Sequence, residues 1–333
     1  MTEKNYQPKD NRYTTMQYRR CGLSGVYLPL LSLGMWHNFG AEIPYSRSKA
    51  LLHQVFDSGI THIDLANNYG PPYGTAEETF GKVMMDSFRP YRDELFISTK
   101  AGYDMWPGPY GNWGSRKYLM SSLDQSLRRM HLDYVDVFYS HRYDPATPIE
   151  ETMQALVDIV HQGKALYVGI SRYPPKAMEQ AYSYLKERDI HCLLYQGKYS
   201  LLVREPEETI LPQCAADGMG FIAFSPLAQG LLTNRYLTGV PADSRMRNSK
   251  FLNEDLLTPQ LLNQLKALNN LAMQRGQTLA ELALSWILRQ PQVSSVIIGI
   301  SSKAQLETNI KAASSEPLSE EELNIIEAIM HQA

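Results

Sequence analysis

Residues 95–141 read LFISTKAGYDMWPGPYGNWGSRKYLMSSLDQSLRRMHLDYVDVFYSH and contain one complete strand–helix–strand unit. The two ends, LFISTKA (95–101) and YVDVFYSH (134–141), are short apolar runs of strand length. Between them, SRKYLMSSLDQSLRRM (115–130) has apolar residues at helical spacing. Two strands joined through a helix pair in parallel, because the crossover returns the chain in the same direction. The segment therefore predicts a parallel sheet covered by helices.

The same alternation of short β-type runs and amphipathic stretches extends along the whole chain. Eight runs have strand character: LPLLSLG (28–34), THIDLA (61–66), LFISTKA (95–101), YVDVFYSH (134–141), ALYVGIS (165–171), CLLYQGKY (192–199), GFIAFSPL (220–227) and SSVIIGIS (294–301). Regular spacing without a Pro/Gly/Ser linker favours a single closed (β/α)8 TIM barrel of the α/β class over a doubly wound open sheet. No G-x-G-x-x-G motif follows any run, which weakens the open-sheet alternative if a dinucleotide is bound.

The regions that flank the eight units are assigned from turn and cap signals. We expect one domain over residues 1–333, with a polar N-terminal tail at 1–15 and a helical extension at the C-terminal end. The segment MQYRRCGLSGVYLP (16–29) predicts a β-hairpin that closes the bottom of the barrel. The S/T-x-x-E capping box predicts three helix starts, at Thr75–Glu78, Thr278–Glu281 and Ser319–Glu322.

Composition and charge narrow the classes of partner. The 333 residues are 44% hydrophobic, which is ample for a buried core, and 32 basic and 35 acidic residues give a net charge of -3. No block of like charges occurs, so we expect neither a nucleic acid nor a membrane as partner. The polar start MTEKNYQPKDNRY and the lack of a long apolar run predict neither a signal peptide nor a membrane span.

The cysteines indicate the redox environment. Cys21, Cys192 and Cys214 are odd in number and lack CxxC or paired-His spacing. We therefore expect neither a disulfide framework nor a metal site. A reduced cytoplasm is the location that fits best.

Four polar residues lie where a barrel carries its active site. In this architecture catalytic groups come from the C-terminal ends of strands and from the loops after them. Asp64, Lys100 and His141 occupy such ends, and Tyr69 lies in the turn NNYGPP. Asp64 shares a strand face with His62 by the period of two, so we expect an inward Asp64 at the rim. The four side chains are therefore predicted to meet at the barrel mouth.

These four residue types predict a particular chemistry. A free tyrosine has a pKa of about 10. We expect Lys100, as a nearby ammonium, to lower the pKa of Tyr69, and Asp64 to keep that ammonium charged. His141 would orient the oxygen of a substrate through a hydrogen bond. The set predicts reduction of a carbonyl, with hydride from a nicotinamide and a proton from Tyr69.

Other interpretations of the same residues remain open. An aspartate at a strand end often caps a helix, a lone lysine usually lies at the surface, and a lone histidine often packs in the core. A lyase with Lys100 as a Schiff base is a further alternative, and it requires a lysine that no carboxylate holds.

Longer motifs resemble the aldo-keto reductase superfamily. The similar stretches are IDLANNYG, STKAG, DYVDVFYSHR, YVGISRY, FSPLAQGLLTNRY and SSVIIGISSKAQLETN, which occur in order and cover nearly the entire chain. The chain is similar to the branch that contains the potassium-channel β subunits. Within that branch, WHNFG and STKAGYDMWPGPYG resemble the bacterial L-glyceraldehyde 3-phosphate reductases.

The resemblance implies a fold, an activity and an assembly. It implies a (β/α)8 barrel with NADPH as cofactor and Asp64, Tyr69, Lys100 and His141 as the catalytic tetrad. The implied activity is reduction of small aldehydes, including L-glyceraldehyde 3-phosphate and 2-oxoaldehydes such as methylglyoxal. The alternative within the same branch is a nucleotide-binding regulatory module with little turnover. A homotetramer or homo-octamer is also implied.

Cofactor contacts carry over from the resemblance position by position. They are Met35, Trp36, Asp64, Ser171, Arg172, Gln196, Phe224, Ser225, Pro226, Leu227, Gln229, Gly230, Arg235, Arg245, Gly299, Ser301, Gln305 and Asn309. The long loop after the seventh strand has two arginines, which suit a phosphate clamp. Thr308 departs from the Glu that many relatives carry. Lys303 either meets the adenosine 2′-phosphate or is a solvated residue of a first helical turn.

The segment GYDMWPGPYGNWGSRKY (102–118) is the expected substrate wall. The predicted substrate contacts are Trp36, Tyr69, Trp106, Tyr110 and Trp113, and we expect at least one of the three loop aromatics to pack against the rim instead. Arg116 or Lys117 would meet a phosphorylated substrate, unless Arg116 lies in the first turn of a solvated helix. Trp286, at helical spacing in ALSWILRQ, is predicted to be core.

Overall fold

The computed structural model of the chain describes residues 6–237, 239 and 256–331. Its strands are β1 (Tyr18–Arg20), β2 (Tyr27–Pro29), β3 (Leu31–Gly34), β4 (His62–Asp64), β5 (Phe96–Ala101), β6 (Val135–Ser140), β7 (Ala165–Ser171), β8 (Cys192–Lys198), β9 (Gly220–Phe224) and β10 (Val293–Ile298). Its α-helices are α1 (Arg12–Thr15), α2 (Tyr45–Asp57), α3 (Thr75–Val83), α4 (Arg116–Met130), α5 (Ile149–His161), α6 (Pro175–Lys186), α7 (Ile210–Asp217), α8 (Pro259–Gln274), α9 (Leu279–Leu288), α10 (Lys303–Ala313) and α11 (Glu320–Met330). A π-helical turn covers Met84–Phe88, and short 3-10 segments cover Arg89–Glu94, Glu205–Glu207, Ala228–Gly230 and Asn234–Tyr236.

Strands β3 to β10 close into one barrel. Each strand pairs in parallel with the next along the chain, and β10 pairs with β3 to complete the circle. Helices separate the successive strands, so every connection returns the chain to the same end of the barrel. The (β/α)8 prediction is confirmed, and the open doubly wound sheet is wrong.

The N-terminal hairpin closes the bottom of this barrel. Strands β1 and β2 are antiparallel, with Arg19 opposite Leu28. The guanidinium of Arg19 donates to Gln290 O at 2.8 Å and to Val293 O at 2.7 Å, where β10 begins. The hairpin therefore lies at the end of the barrel where the strands start, as the sequence predicted.

The barrel wall separates two apolar clusters. The smaller one fills the lower interior and joins Cys21 and Leu28 of the hairpin to Val137, Leu194 and Ile222. The larger one lies between the strands and the helices and contains most of the remaining buried aliphatic side chains. A barrel that is packed below and polar above presents one functional end, at the C-terminal edges of its strands.

The strand that carries Asp64 follows the predicted alternation. Ile63 belongs to the outer cluster, and its counterpart in β5, Ile97, does so too. His62 and Asp64 instead contact polar groups inside the barrel. The period of two therefore delivers Asp64 to the mouth.

The first and last described segments both pack on the rest of the structure. Tyr6 stacks on His53 with ring centroids 3.8 Å apart, so the polar N-terminal segment contacts α2 from residue 6 onward. At the other end α11 packs on α8, where Gln264 Nε2 donates to Met330 O at 3.2 Å. The C-terminal helical extension is thereby confirmed. Of the helices in the described part of the chain, none is long and apolar enough to cross a membrane.

Two of the three predicted capping boxes form. Thr278 and Ser319 each accept from the backbone of the glutamate three residues on, and each glutamate returns the bond. The prediction of a capping box at Thr75 is wrong. Gly74 precedes α3 with φ of 87°, and Thr75 Oγ1 donates instead to Pro72 O at 2.7 Å. In a capping box the hydroxyl oxygen of the residue before the helix accepts a backbone bond. Thr75 is instead the first residue of α3, and its Oγ1 accepts from Ala41 N at 3.1 Å.

Candidate active site

Lys100 is the centre of the polar cluster at the mouth. It is the penultimate residue of β5 and has no exposed surface. Its ammonium lies 2.6 Å from Asp64 Oδ2, 2.6 Å from Leu65 O and 3.4 Å from Tyr69 OH. An ammonium has three N–H groups and no acceptor, so these contacts use all three. The phenol of Tyr69 therefore accepts from Lys100, and its own hydrogen remains available for a ligand.

A chain of hydrogen bonds orients Asp64 from below. Its Oδ1 accepts from Ser98 Oγ at 2.8 Å, and Ser98 Oγ lies 3.0 Å from His62 Nε2. His62 Nδ1 lies 2.8 Å from Ser32 Oγ, which lies 2.5 Å from Ser295 Oγ. A carboxylate only accepts and a hydroxyl has one hydrogen, so His62 donates through Nε2 and accepts at Nδ1. All bonds of the chain then point toward Asp64.

Tyr69 is held over the mouth by the turn that follows it. Its backbone N–H donates to Ala66 O at 3.0 Å, and its carbonyl accepts from Gly74 N at 3.0 Å. A Cβ on Gly70 would lie 1.9 Å from Pro72 O, so only glycine fits there. The phenol ring meets the ring of His141 edge-on, with centroids 6.0 Å apart. The four predicted catalytic side chains therefore lie together.

Burial and local charge set the protonation tendencies of this cluster. Burial lowers the pKa of Lys100 below 10.5, while the charges of Asp64 and Glu77 raise it. Burial raises the pKa of the Tyr69 phenol well above 10, and the charge of Asp64 and the neighbouring Tyr103 add to this. The prediction that Lys100 lowers the pKa of Tyr69 is therefore wrong. The reason is that Asp64 balances the charge of Lys100, which leaves burial as the dominant effect.

His141 is neutral in this environment. Burial lowers its pKa well below 6.5, and the charges of Lys100, Arg172 and Arg142 lower it further. Its Nδ1 is buried and has no hydrogen-bond partner among the described residues. A neutral imidazole has one donor and one acceptor nitrogen, so it can donate to a ligand oxygen without carrying a charge.

Glu77 supports Lys100 from the outer side of the barrel wall. It is fully buried, accepts from Thr99 Oγ1 at 2.5 Å, and pairs with Arg129 at 2.8 Å. Thr99 precedes Lys100 in β5, so their side chains lie on opposite faces of the strand. The ammonium of Lys100 therefore has Asp64 on the inner side and Glu77 behind the wall.

Two arginines and a tyrosine form the rim beside His141. Tyr103 meets the ring of His141 edge-on at 4.7 Å, and its hydroxyl accepts from Arg172 Nη1 at 3.1 Å. The guanidinium of Arg142 lies 4.2 Å from the Tyr103 ring and 3.6 Å from the Trp113 ring. Cationic groups and aromatic faces therefore share one side of the mouth.

The predicted substrate aromatics fall into two groups. Trp36, Tyr110 and Trp113 are exposed on the rim. Trp106 is half-buried and packs against Tyr118 with ring centroids 5.1 Å apart. The loop thus has both the open faces and the rim packing that its composition predicts.

The basic residues proposed to meet a phosphate have other partners. Arg116 begins α4 and forms an ion pair with Asp158. Lys117 lies 5.3 Å from the centroid of the Tyr110 ring. Arg116 therefore lies in the first turn of a surface helix, which is the alternative that the sequence left open. Trp286 is fully buried, as predicted.

One set of predicted cofactor residues lies at the ends of β7, β8 and β9. Ser171 is paired in register with Gln196, whose Nε2 donates to Asp64 Oδ1 at 3.0 Å. Arg172 is exposed and lies 6.0 Å from the Phe224 ring. Asp64 is common to this set and the catalytic set. On the opposite side, Met35 is fully buried beside the exposed Trp36.

A second set follows β9 in a contorted loop. Ser225, Ala228 and Gln229 have φ of 54°, 46° and 58°, which non-glycine residues rarely adopt, and Gly230 has φ of 101°. Such strain concentrates at ligand sites. Pro226 is buried, Leu227 is half-buried and Arg235 is exposed. Arg245 lies outside the described residues.

A third set surrounds the start of α10. Ser301 N and Oγ both donate to Gln305 Oε1, at 2.7 and 3.1 Å. Gly299 is exposed and Asn309 is buried. Lys303 Nζ lies 3.5 Å from Glu307, so its charge is partly balanced within the helix.

Sequence reasoning missed several residues of the site. Ser98 is two positions before Lys100, so the period of two could have identified its inward face. Tyr103 and Arg142 follow the ends of β5 and β6, which is where barrel loops carry function. Glu77 had no such signal, because its role depends on how α3 packs on β5.

Comparison with known proteins gives one family. The Aldo/keto reductase family matches residues 30–331. L-glyceraldehyde 3-phosphate reductase of Escherichia coli (strain K12) is 54% identical over 317 residues, which cover 94% of this chain and 92% of that protein. A probable voltage-gated potassium channel subunit beta of Oryza sativa subsp. japonica is 37% identical over 324 residues, which cover 95% and 97%. The corresponding protein of Arabidopsis thaliana is 36% identical over 311 residues, which cover 91% and 93%.

Proposed function

The chain belongs to the aldo/keto reductase family and is an oxidoreductase, and from that premise we propose that it reduces small aldehydes with NADPH. The proposed substrates are L-glyceraldehyde 3-phosphate and 2-oxoaldehydes such as methylglyoxal. The Escherichia coli relative named L-glyceraldehyde 3-phosphate reductase is 54% identical over most of both chains, and this similarity supports the proposed substrate class.

The contact between Lys100 and Tyr69 carries the proposal. Lys100 Nζ is 2.6 Å from Asp64 Oδ2 and 3.4 Å from Tyr69 OH, and it uses its remaining N–H on Leu65 O. Lys100 thus fixes the phenol as an acceptor on one side, which directs the phenol hydrogen toward the mouth.

Tyr69 is suited to donate that proton. Its raised pKa keeps the phenol protonated at neutral pH. When a carbonyl oxygen gains charge during reduction, Tyr69 donates and becomes a phenolate. The adjacent ammonium of Lys100 then stabilises the phenolate. The charge of Lys100 therefore contributes during proton transfer and does not lower the pKa of Tyr69 in the resting protein.

His141 positions the substrate oxygen in this proposal. The lowered pKa keeps its ring neutral, so it donates a hydrogen bond without competing with Tyr69 as an acid. The Tyr69 and His141 rings lie edge-on with centroids 6.0 Å apart, and we propose that one substrate oxygen accepts from both side chains.

The residues at the mouth fit a nicotinamide dinucleotide. The space that a Cβ on Gly299 would occupy is open, with no atom within 4 Å, and the start of α10 favours anions. Ser171, Gln196 and the loop at 224–230 would hold the nicotinamide half, and Ser301, Gln305 and Asn309 the adenosine half. The bound nicotinamide would supply the hydride. We propose NADPH over NADH on the resemblance.

Two alternatives make different predictions. A regulatory module would bind the nucleotide and reduce little aldehyde. The similarity to proteins named as probable channel subunits supports this alternative. A Schiff-base lyase needs an uncommitted lysine, whereas all three N–H groups of Lys100 have acceptors.

The test is loss of absorbance at 340 nm when the protein is mixed with NADPH and DL-glyceraldehyde 3-phosphate or methylglyoxal. Tyr69→Phe should lower kcat by about 10²- to 10⁴-fold, because it removes only the proton donor. Tyr73→Phe is the matched control, since Tyr73 lies in the same turn but is exposed. Unchanged turnover in Tyr69→Phe would defeat the mechanism, and wild-type protein that binds NADPH but turns over no aldehyde would favour the regulatory module.

We also propose a cytoplasmic homotetramer or homo-octamer. The three cysteines are buried and unpaired, which supports a reduced environment. Light scattering on the eluting protein measures its mass, and a monomer would contradict the proposed assembly.

A further inference from the structure

Arg142 is held rigidly on the rim. Its Nε donates to Gly102 O at 2.7 Å and its Nη2 to Asn112 Oδ1 at 2.8 Å. The Trp113 and Tyr103 rings lie 3.6 and 4.2 Å from the guanidinium carbon. Within the part of the chain that the structure describes, two of its five N–H groups donate hydrogen bonds, and its orientation is fixed before any ligand arrives.

No carboxylate among the described residues contacts Arg142. Across residues 6–237, 239 and 256–331, no carboxylate lies within 4 Å of Arg142 or of Arg172. The nearest acid in the bonding network is Asp104, which binds Asn112 and not the arginine. By contrast, Arg116 at the start of α4 forms an ion pair with Asp158. Guanidiniums that are ordered and lack a carboxylate partner are ready to bind an anion.

Both arginines lie close to the reacting groups. Tyr103 contacts Arg172 through its hydroxyl, faces Arg142 with its ring and meets His141 edge-on at 4.7 Å. His141 and Arg142 are therefore separated by no more than one aromatic ring. A three-carbon phosphate ester is long enough to place its carbonyl at His141 and its phosphate at Arg142.

We propose that Arg142 is the binding site for the phosphate monoester of the substrate, and that Arg172, a predicted cofactor contact, adds its charge from the other side of Tyr103. The inference rests on the proposed function for the carbonyl end of that substrate, but the phosphate site itself is a separate feature. Arg142 binds the ester through Nη1, which donates to none of the described residues, and through the remaining Nη2 hydrogen, in a fork that matches two phosphate oxygens. Trp113 and Tyr103 restrict the guanidinium so that little entropy is lost on binding.

The test compares glyceraldehyde 3-phosphate with glyceraldehyde, which has the same carbonyl and no phosphate. Arg142→Met should lower kcat/KM about 10- to 100-fold for the ester and change it less than about threefold for glyceraldehyde. The Kd of NADPH, measured by fluorescence, should stay unchanged. Arg116→Met is the matched control and should leave both aldehydes unaffected. Equal losses on both aldehydes, or weaker binding of NADPH, would assign Arg142 to the fold or the cofactor and overturn the site.

A binding measurement separates this site from the proposed activity. Glycerol 3-phosphate carries the ester without a carbonyl, and calorimetry should detect its binding to wild-type protein and about tenfold or more weakening in Arg142→Met. Glycerol should not bind. If wild-type protein turns over no aldehyde yet binds glycerol 3-phosphate through Arg142, the proposed function fails and the phosphate site stands. If it turns over both aldehydes equally and Arg142→Met binds glycerol 3-phosphate like wild type, the site fails alone.

A second variant covers the case in which Arg142→Met loses stability. Arg142→Lys keeps the charge and the aliphatic chain but has no fork, so we expect a smaller loss confined to the phosphate ester. A loss of equal size on glyceraldehyde in this variant would contradict the proposal.

Discussion

The pocket below Tyr69 and the rim beside it differ in how their charged side chains are paired. In the pocket Lys100 is paired with Asp64, and Glu77 behind the wall is paired with Arg129. On the rim, as far as the structure describes the chain, Arg142 has only neutral contacts. Full pairing makes the pocket a fixed environment for proton transfer. Incomplete pairing makes the rim a place where an anionic ligand completes the network.

Removal of the ammonium of Lys100 should have the largest effect. Lys100→Met should lower kcat by about 10³-fold or more, because the phenolate of Tyr69 loses its stabilising charge. It should also lower the free energy of unfolding by about 3–5 kcal/mol, because Asp64 remains buried without its partner. Steady-state kinetics and urea unfolding at neutral pH measure the two effects.

A double variant separates stability from chemistry at this pair. Lys100→Met with Asp64→Asn leaves no uncompensated charge, so it should regain much of the stability and none of the activity. A double variant as unstable as Lys100→Met would contradict the view that pairing balances the pocket.

The stability of the interior should depend on pH through His62. Burial lowers the pKa of His62 from 6.5 to about 4. Between these values the unfolded chain binds a proton that the native protein does not. The contribution of His62 is thus complete above pH 6.5 and decreases as the pH falls, by about 3 kcal/mol at pH 4. Urea unfolding from neutral to acid pH measures it.

The variant His62→Asn supplies the comparison. It should be less stable than wild type near neutral pH, because two hydrogen bonds are altered, and it should lose less stability on acidification. Parallel pH curves for variant and wild type would mean that His62 titrates like a free histidine and that water reaches the pocket.

The smallest effect should come from Glu77, which acts on Lys100 through the barrel wall. Glu77→Gln removes a negative charge that raises the pKa of Lys100, so the basic limb of the pH–rate profile should move to lower pH. We expect kcat to fall at alkaline pH and to stay unchanged near neutral pH. KM for the aldehyde should stay the same. Glu78→Gln, in the exposed neighbour, should change neither quantity.

The fold could be predicted from the sequence because it repeats a local pattern. Each strand has a short apolar run and each helix an amphipathic one, and both signals are independent of distant residues. The same holds for the inward direction of Asp64 and Lys100, which follows from the period of two. The hairpin at the bottom was equally local, with its glycines between two short β-like pieces.

The electrostatics of the site could not be predicted in this way. The raised pKa of Tyr69 depends on burial and on how closely Asp64 balances Lys100, which no spacing encodes. The partner of Arg116 is Asp158, 42 positions away on another helix, so only packing reveals that Arg116 is engaged. Thr75 lies inside α3, one residue past the cap position that the motif assigns to it, and its hydroxyl oxygen accepts from Ala41 N, which is distant in sequence.

The hydrogen-bonded serines and histidine beneath Asp64 make the His62 ring sensitive to the charge in the pocket. The ring of His62 is held in one tautomer by the order of its donors and acceptors, and that order depends on a negative oxygen at Asp64. The nitrogen resonances of this single imidazole should therefore record the charge of the pocket from the side that ligands never touch. Spectroscopy on His62 can follow each state of the protein without a probe at the mouth.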